Sequence, residues 1–197
     1  MSNKESTRKF KVEEIVAAEY EYIAQTAFQA QEDRARVTTF YLVSVGSLFG
    51  AFWGTQNNPT EVTYWAFAGL FLFLSYFGII TVFQLVRLRL AWFESAKAMN
   101  QIKEYLITQN QDLKQAFRWT QDSLPAVYKP KSIAYYLAFQ VAMLGTITFG
   151  MMLFYSGMAI NPVLNSNFIF LAGVTIGGLL FFYYQMYLYR KGLTKKE

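Results

Sequence analysis

VTYWAFAGLFLFLSYFGIITVFQLV, running from Val62 to Val86, contains no Asp, Glu, Lys or Arg. A helix needs about 20 predominantly apolar residues to cross the hydrocarbon core of a bilayer, and this stretch is long enough. In water such a run is an aggregation hazard. In lipid, a helix satisfies its own backbone hydrogen bonds and the run is stable. Three more stretches read the same way: Val37–Gly54 (VTTFYLVSVGSLFGAFWG), Ile133–Tyr155 and Asn167–Leu188, each free of charged residues. The reading is an all-α, polytopic membrane protein with four transmembrane helices and a cytoplasmic, coiled-coil-like helical extension.

Composition agrees. Apolar residues make up 54% of the 197-residue chain and aromatics 19%, while charged residues reach only 16%, well below the roughly 25% of soluble domains. The chain has no Cys and no His. That excludes thiolate nucleophiles, disulfides, thiolate or imidazole metal ligation and imidazole acid–base chemistry. The opening MSNKESTRKFKVEE has neither an apolar core region nor a small-residue cleavage site, so no signal peptide is expected.

The cations set the orientation, because cytoplasmic loops carry the excess of Lys and Arg. All 18 fall in three places. Lys4, Arg8, Lys9, Lys11, Arg34 and Arg36 precede the first span. Arg87, Arg89, Lys97, Lys103, Lys114, Arg118, Lys129 and Lys131 lie between the second and third. Arg190, Lys191, Lys195 and Lys196 follow the fourth. The other two connections carry none. Both termini and the long internal segment are therefore expected on the cytoplasmic side of the plasma membrane. Trp53, Tyr64 and Trp65 at the outer boundary, and Tyr135, Tyr136, Tyr183, Tyr184, Tyr187 and Tyr189 at the inner one, fit aromatic belts at headgroup depth.

The expected organisation is a cytoplasmic amphipathic helix over 1–36, a membrane hairpin over 37–86, and a cytoplasmic arm with its return loop over 87–132. A second hairpin over 133–189 and a cytoplasmic tail over 190–197 complete the chain. Neither Pro nor Gly interrupts Glu13–Val45 or Ile79–Leu124. Each stretch should therefore be one helix running between membrane and cytoplasm. Val16, Tyr20, Ile23, Ala27 and Ala30 recur at alternating spacings of four and three, as do Trp92, Ser95, Met99, Ile102, Leu106, Gln109, Leu113 and Ala116. Such seams predict antiparallel packing. The arm, running for about 30 residues to the break at Pro125, would reach roughly 45 Å.

Candidate functional residues are few. Gly46, Gly50 and Gly54, and Gly173 and Gly177, have the small-residue spacing that lets helices approach closely in lipid. They serve either packing within one protomer or contact between protomers. Gln84, Gln140 and Gln185, with Ser44, Ser47, Ser75, Thr146, Thr148 and Thr175, are the polar groups inside the spans. They make interhelical hydrogen bonds or line a path, and Gln140, the deepest amide, should face protein. No span carries a charge, which argues against a proton-coupled carrier or pump. Glu61 is the one outer-side charge. Thr60 caps its helix and Glu61 sits in the first turn, favoured by the macrodipole. The other reading is an acidic outer mouth in an oligomer. PTEVTYW is similar to the outer hairpin of calcium-uniporter pores, but the deeper acid of that motif is absent. The boundary segment EDRAR, Glu32–Arg36, reads first as an ordinary positive-inside boundary; the other reading sets its arginines on lipid phosphate and its acids against Arg87 or Arg89. Basic residues elsewhere are interleaved with acids, so no nucleic-acid interface is expected. No catalytic, cofactor-binding or metal-binding set emerges.

QAQEDRARVTTFYLVSVGSLFGA, a charged cytoplasmic helix leading into a membrane hairpin and then a long helical arm, resembles the SLATT-like and related small membrane effectors of prokaryotic conflict systems. The resemblance covers Val12 to Phe117 and is one of pattern. Spans three and four depart from the two-span version, and no nucleotide-sensing domain accompanies them. It implies oligomerisation, membrane perturbation on a signal and a place in antiviral defence. No functional residue carries over.

The sequence thus points to a non-enzymatic, oligomeric membrane protein, pore-forming or membrane-perturbing. Its arm would receive a signal or a cytoplasmic protein partner through residues 88–118. Two alternatives stand beside it: a small channel or carrier acting alone, and a structural membrane subunit that docks a soluble partner.

Overall fold

The computed structural model describes residues 2–53 and 60–194, and side chains for 12–51 and 60–194. All regular structure among them is helical: α1 (Ser2–Trp53), α2 (Glu61–Gln109), the single turn α3 (Leu113–Ala116), α4 (Ile133–Ile160) and α5 (Phe168–Thr194), with 3-10 turns at Gln121–Ser123 and Pro162–Ser166. Three helices, α2, α4 and α5, are long and apolar enough to cross a membrane. The apolar part of α1 is less uniform, since Thr38, Thr39, Ser44 and Ser47 interrupt it.

Local chemistry explains where the helices begin. Thr60 and Thr63 cap α2 reciprocally. The Thr63 N–H donates to the Thr60 hydroxyl at 3.4 Å, and the Thr60 N–H donates to the Thr63 hydroxyl at 3.2 Å. Glu61 follows in the first turn, where the exposed backbone N–H groups favour an anion. Ser132 caps α4 by accepting from the Tyr135 N–H. Asn167 caps α5, its side-chain oxygen accepting from the N–H groups of Ile169 at 2.9 Å and Phe170 at 3.1 Å. Each cap satisfies a donor that the first helical turn otherwise leaves unpaired.

The chain forms two compact units, one of residues 1–33 and 88–129, the other of 34–87 and 130–197. In the first unit the arm is shorter than its sequence suggests. α2 ends at Gln109, not near Leu124. The Asn110 side chain accepts from the Asp112 N–H at 3.0 Å, a local turn that competes with the helix. The helical reach beyond Leu88 is therefore about 30 Å at 1.5 Å per residue. After α3 the chain returns along α2 as an extended strap. Asn100 donates to the Thr120 carbonyl at 2.9 Å, Lys103 to the Trp119 carbonyl at 3.5 Å, and Arg89 to the Val127 carbonyl at 3.2 Å. Arg89 also lies 4.6 Å over the Trp92 ring, a cation–π contact that keeps its guanidinium aimed at the strap.

The second unit buries small residues of α4 together with Phe71, Leu74, Leu85 and Leu193, and leaves many other large apolar side chains on its surface. Ala138, Val141 and Ala142 of α4 are fully buried, while Phe40, Phe73, Tyr76, Phe83, Ile176 and Leu180 are exposed. Only 11% of the apolar window of α5 is buried within the protein, so its surface calls for an apolar surrounding. Tyr155 anchors one end of this unit, stacking on Phe71 with ring centroids 5.8 Å apart and planes 8° from parallel. α4 and α5 meet through the stacked pair Phe149–Phe181, at 4.4 Å. Gly178 lies against the Thr146 carbonyl and Gly192 against Val86. A side chain at either position would push the helices apart.

Candidate functional site

The polar residues of the apolar stretches meet in the core of the second unit. Each of its long helices sends one: Tyr41 from α1, Ser75 from α2, Thr148 from α4 and Gln185 from α5, all buried. The Ser75 hydroxyl donates to Thr148 Oγ1 at 3.1 Å and is close to the Phe71 carbonyl at 2.7 Å. Thr148 donates to the Gly145 carbonyl at 3.0 Å. The Tyr41 hydroxyl donates to the Leu74 carbonyl at 3.3 Å, and its side chain also interacts with Thr148. The Gln185 amide, fully buried, lies over Gly78 and Gly145. An added Cβ on Gly145 would sit 2.5 Å from its Oε1, and one on Gly78 would sit 3.1 Å from its Nε2 and 2.7 Å from the Tyr41 oxygen. The two glycines make the space that the amide occupies. Among the described residues, neither Gln185 Oε1 nor Nε2 has a hydrogen-bond partner.

This cluster is neutral throughout. It holds hydroxyls and one amide, which suits hydrogen bonding to water or another uncharged polar group. Among the described residues no group of three or more Asp or Glu side chains comes together in a metal-binding arrangement.

The first unit presents a different feature, a groove of about 630 Å³. Val12, Val16, Ala17 and Tyr20 of α1 form one wall, Ile102, Tyr105 and Leu106 of α2 another, and Phe117 contributes from beyond α3. Glu13, Lys103, Gln109 and Asn110 add polar groups. The two seams read from the sequence thus line one groove, with Val16, Tyr20, Ile102 and Leu106 only half-buried. Its volume lies in the range of small-molecule and peptide side-chain sites.

The three span glutamines part company. Gln185 is fully buried, while Gln84 and Gln140 are exposed on the protein surface. Gln140, expected to face protein, lies on the outer stripe of α4 with Tyr136, Met143 and Ile147. The helical spacing of 136, 140, 143 and 147 puts it there, and polarity alone does not move a residue off its face. The glycines divide as well. Gly46, Gly50 and Gly173 are exposed, with nothing among the described residues within 4 Å of a Cβ built on them; Gly177 packs against Leu153 within the protein; Gly54 lies outside the described residues. Ser44, Thr146 and Thr175 donate to carbonyls of their own helices, and Ser47 is exposed. Glu61 is exposed in its first turn.

Sequence reasoning missed Tyr41, Gly78 and Gly145. A signal was present. Ser75 and Gly78, and Gly145 and Thr148, are small residues three apart, which share a helix face, and Ala138, Val141 and Ala142 continue the α4 stripe. Attention to glycines four apart passed over them. Comparison with known proteins adds no relative: no family model, curated protein or solved structure matches this chain.

Proposed function

We propose that the protein is a non-enzymatic, oligomeric membrane effector or sensor of the plasma membrane. In this reading it has four spans and cytoplasmic termini, and its first unit controls a membrane part that opens a pore or perturbs the bilayer. The observation that carries the reading is the apolar groove of the first unit. Its walls come from α1 and α2, the two helices that also supply residues to the second unit. A ligand or partner helix seated between them biases both helices, and their unbroken backbones carry that bias. The resemblance to SLATT-like effectors points the same way.

The test is dye release from liposomes holding the full chain. Tyr20→Arg and Leu106→Arg place charge in the groove without touching the apolar stretches. Either should change release at equal protein incorporation. Unchanged release, with a groove ligand or partner still bound, would remove the groove from control.

A second reading, a channel or carrier acting alone, is favoured by the convergence of Tyr41, Ser75, Thr148 and Gln185 inside one protomer. Transport by protein held as single copies in nanodisc-derived vesicles would select it.

A further inference from the structure

The groove of the first unit has a charge as well as a shape. One wall belongs to α1, whose residues 12–33 carry Glu13, Glu14, Glu19, Glu21, Glu32 and Asp33 and no Lys or Arg. Glu13 lines the groove itself. Glu19 borders a smaller hollow that shares Val16, Ile102 and Tyr105 with it. The other wall is the end of α2, where Leu106, Gln109 and Asn110 line the groove. A helix presents its unpaired carbonyls and the negative end of its dipole there, and no basic residue stands in the last turn of α2. Lys103 is the one base among the described residues that line the groove. Its ammonium is already engaged, donating to Asn100 Oδ1 at 3.4 Å and to the Trp119 carbonyl at 3.5 Å. What it adds to the groove is chiefly its methylene stem.

Tyr20, Tyr105 and Phe117 bring three aromatic rings, and Val12, Val16 and Ile102 bring aliphatic surface. Ring faces attract cations. Carboxylate, helix end and rings therefore favour the same sign of charge, while the apolar surface favours a ligand whose charge is spread among hydrocarbon groups. A compact ion would give up its hydration for few ligands here, since among the described residues no group of three or more Asp or Glu side chains comes together.

We infer that the groove binds a lipophilic organic cation, with its apolar groups against Val16, Ile102 and Phe117 and its charge towards Glu13 and the carbonyl end of α2. The inference rests on the groove being a ligand site, as proposed above, and adds the chemical class of the ligand.

The experiment is equilibrium dialysis of radiolabelled tetraphenylphosphonium against the full chain in detergent micelles, with empty micelles as the blank. Saturable, stoichiometric binding is expected. Tetraphenylborate has the same shape and the opposite charge. Measured separately, it should bind no better than to empty micelles. Glu13 is exposed, so changing it leaves the packing alone. Glu13→Gln should weaken cation binding about threefold, and Glu13→Lys should abolish it. Absence of saturable binding to the unaltered protein overturns the inference. So does equal binding of the two ions, or a Glu13→Lys protein that binds the cation as well as the unaltered one. The same probe separates this inference from the control it rests on. Saturable binding that leaves dye release unchanged upholds the cation site and removes the groove from control. Dye release that responds to Tyr20→Arg, in a protein that binds no cation, overturns the cation site and upholds control.

Discussion

The Ser75 hydroxyl of α2 donates to Thr148 Oγ1 of α4 across 3.1 Å, in a core with no charged side chain between them. Thr148 donates its own proton to the Gly145 carbonyl, and the single Ser75 proton is shared between Thr148 and the Phe71 carbonyl at 2.7 Å, so the interhelical contact competes with a bond inside α2. Such links contribute modestly in membrane proteins. A double-mutant cycle with Ser75→Ala and Thr148→Val should give a coupling of roughly 0.5–1.5 kcal/mol. Equilibrium unfolding in mixed micelles reads it. A coupling indistinguishable from zero would mean that the two hydroxyls serve only their own helices.

Gly145 and Gly173 make opposite predictions from the same residue type. A methyl at Gly145 would press on the Gln185 amide at 2.5 Å, whereas at Gly173 it would meet nothing within 4 Å. Gly145→Ala should cost about 1–3 kcal/mol of bundle stability through overpacking. Gly173→Ala should leave the protomer unchanged or slightly stabilised, because alanine is the better helix former. Thermal unfolding in one detergent compares them directly. Equal effects would contradict the packing around Gln185.

Much of this architecture was legible because the signals were long. Runs such as Val62–Val86 and Ile133–Tyr155 identify helices from length and apolarity alone, and α2 and α4 contain them. The end of the arm was not legible. Pro125 is the visible breaker, yet α2 stops at Gln109, where Asn110 bonds to the backbone two residues on and the strap begins its return. The strap is held by Asn100, Lys103 and Arg89, many residues away in sequence, which no local pattern encodes. The polar core was half legible. Ser75, Thr148 and Gln185 stand out among apolar neighbours. Their meeting, however, depends on which faces of four helices turn inward, and Gln140 shows how an equally polar residue lands outside.

Orientation is testable at two positions. Periplasm-active reporter fusions after residue 163, in the α4–α5 turn, should be active, because that connection carries no Lys or Arg. Fusions after residue 110, at the end of α2, should be inactive. The reverse pattern would remove the four-span, cytoplasmic-termini reading.

The last prediction concerns assembly, and the structure chooses its residues. Gly46 and Gly50 of α1 are exposed, and among the described residues nothing lies within 4 Å of a Cβ built on either. Gly177, with the same spacing signal, packs on Leu153 inside the protein. A large residue at Gly177 would therefore disturb the bundle itself and report nothing clean about assembly. Gly50→Leu leaves the protomer's own packing alone, since the new side chain points into open space. If protomers meet along this face, close approach needs its small residues. Gly50→Leu should then lower the oligomer mass in mild detergent while thermal unfolding of the protomer stays within about 0.5 kcal/mol of the unaltered protein. Dye release should fall with the mass. Mass and release both unchanged would assign this face to lipid. A single-copy protein that retains full activity would move the function from an assembled pore to a carrier or a docking subunit.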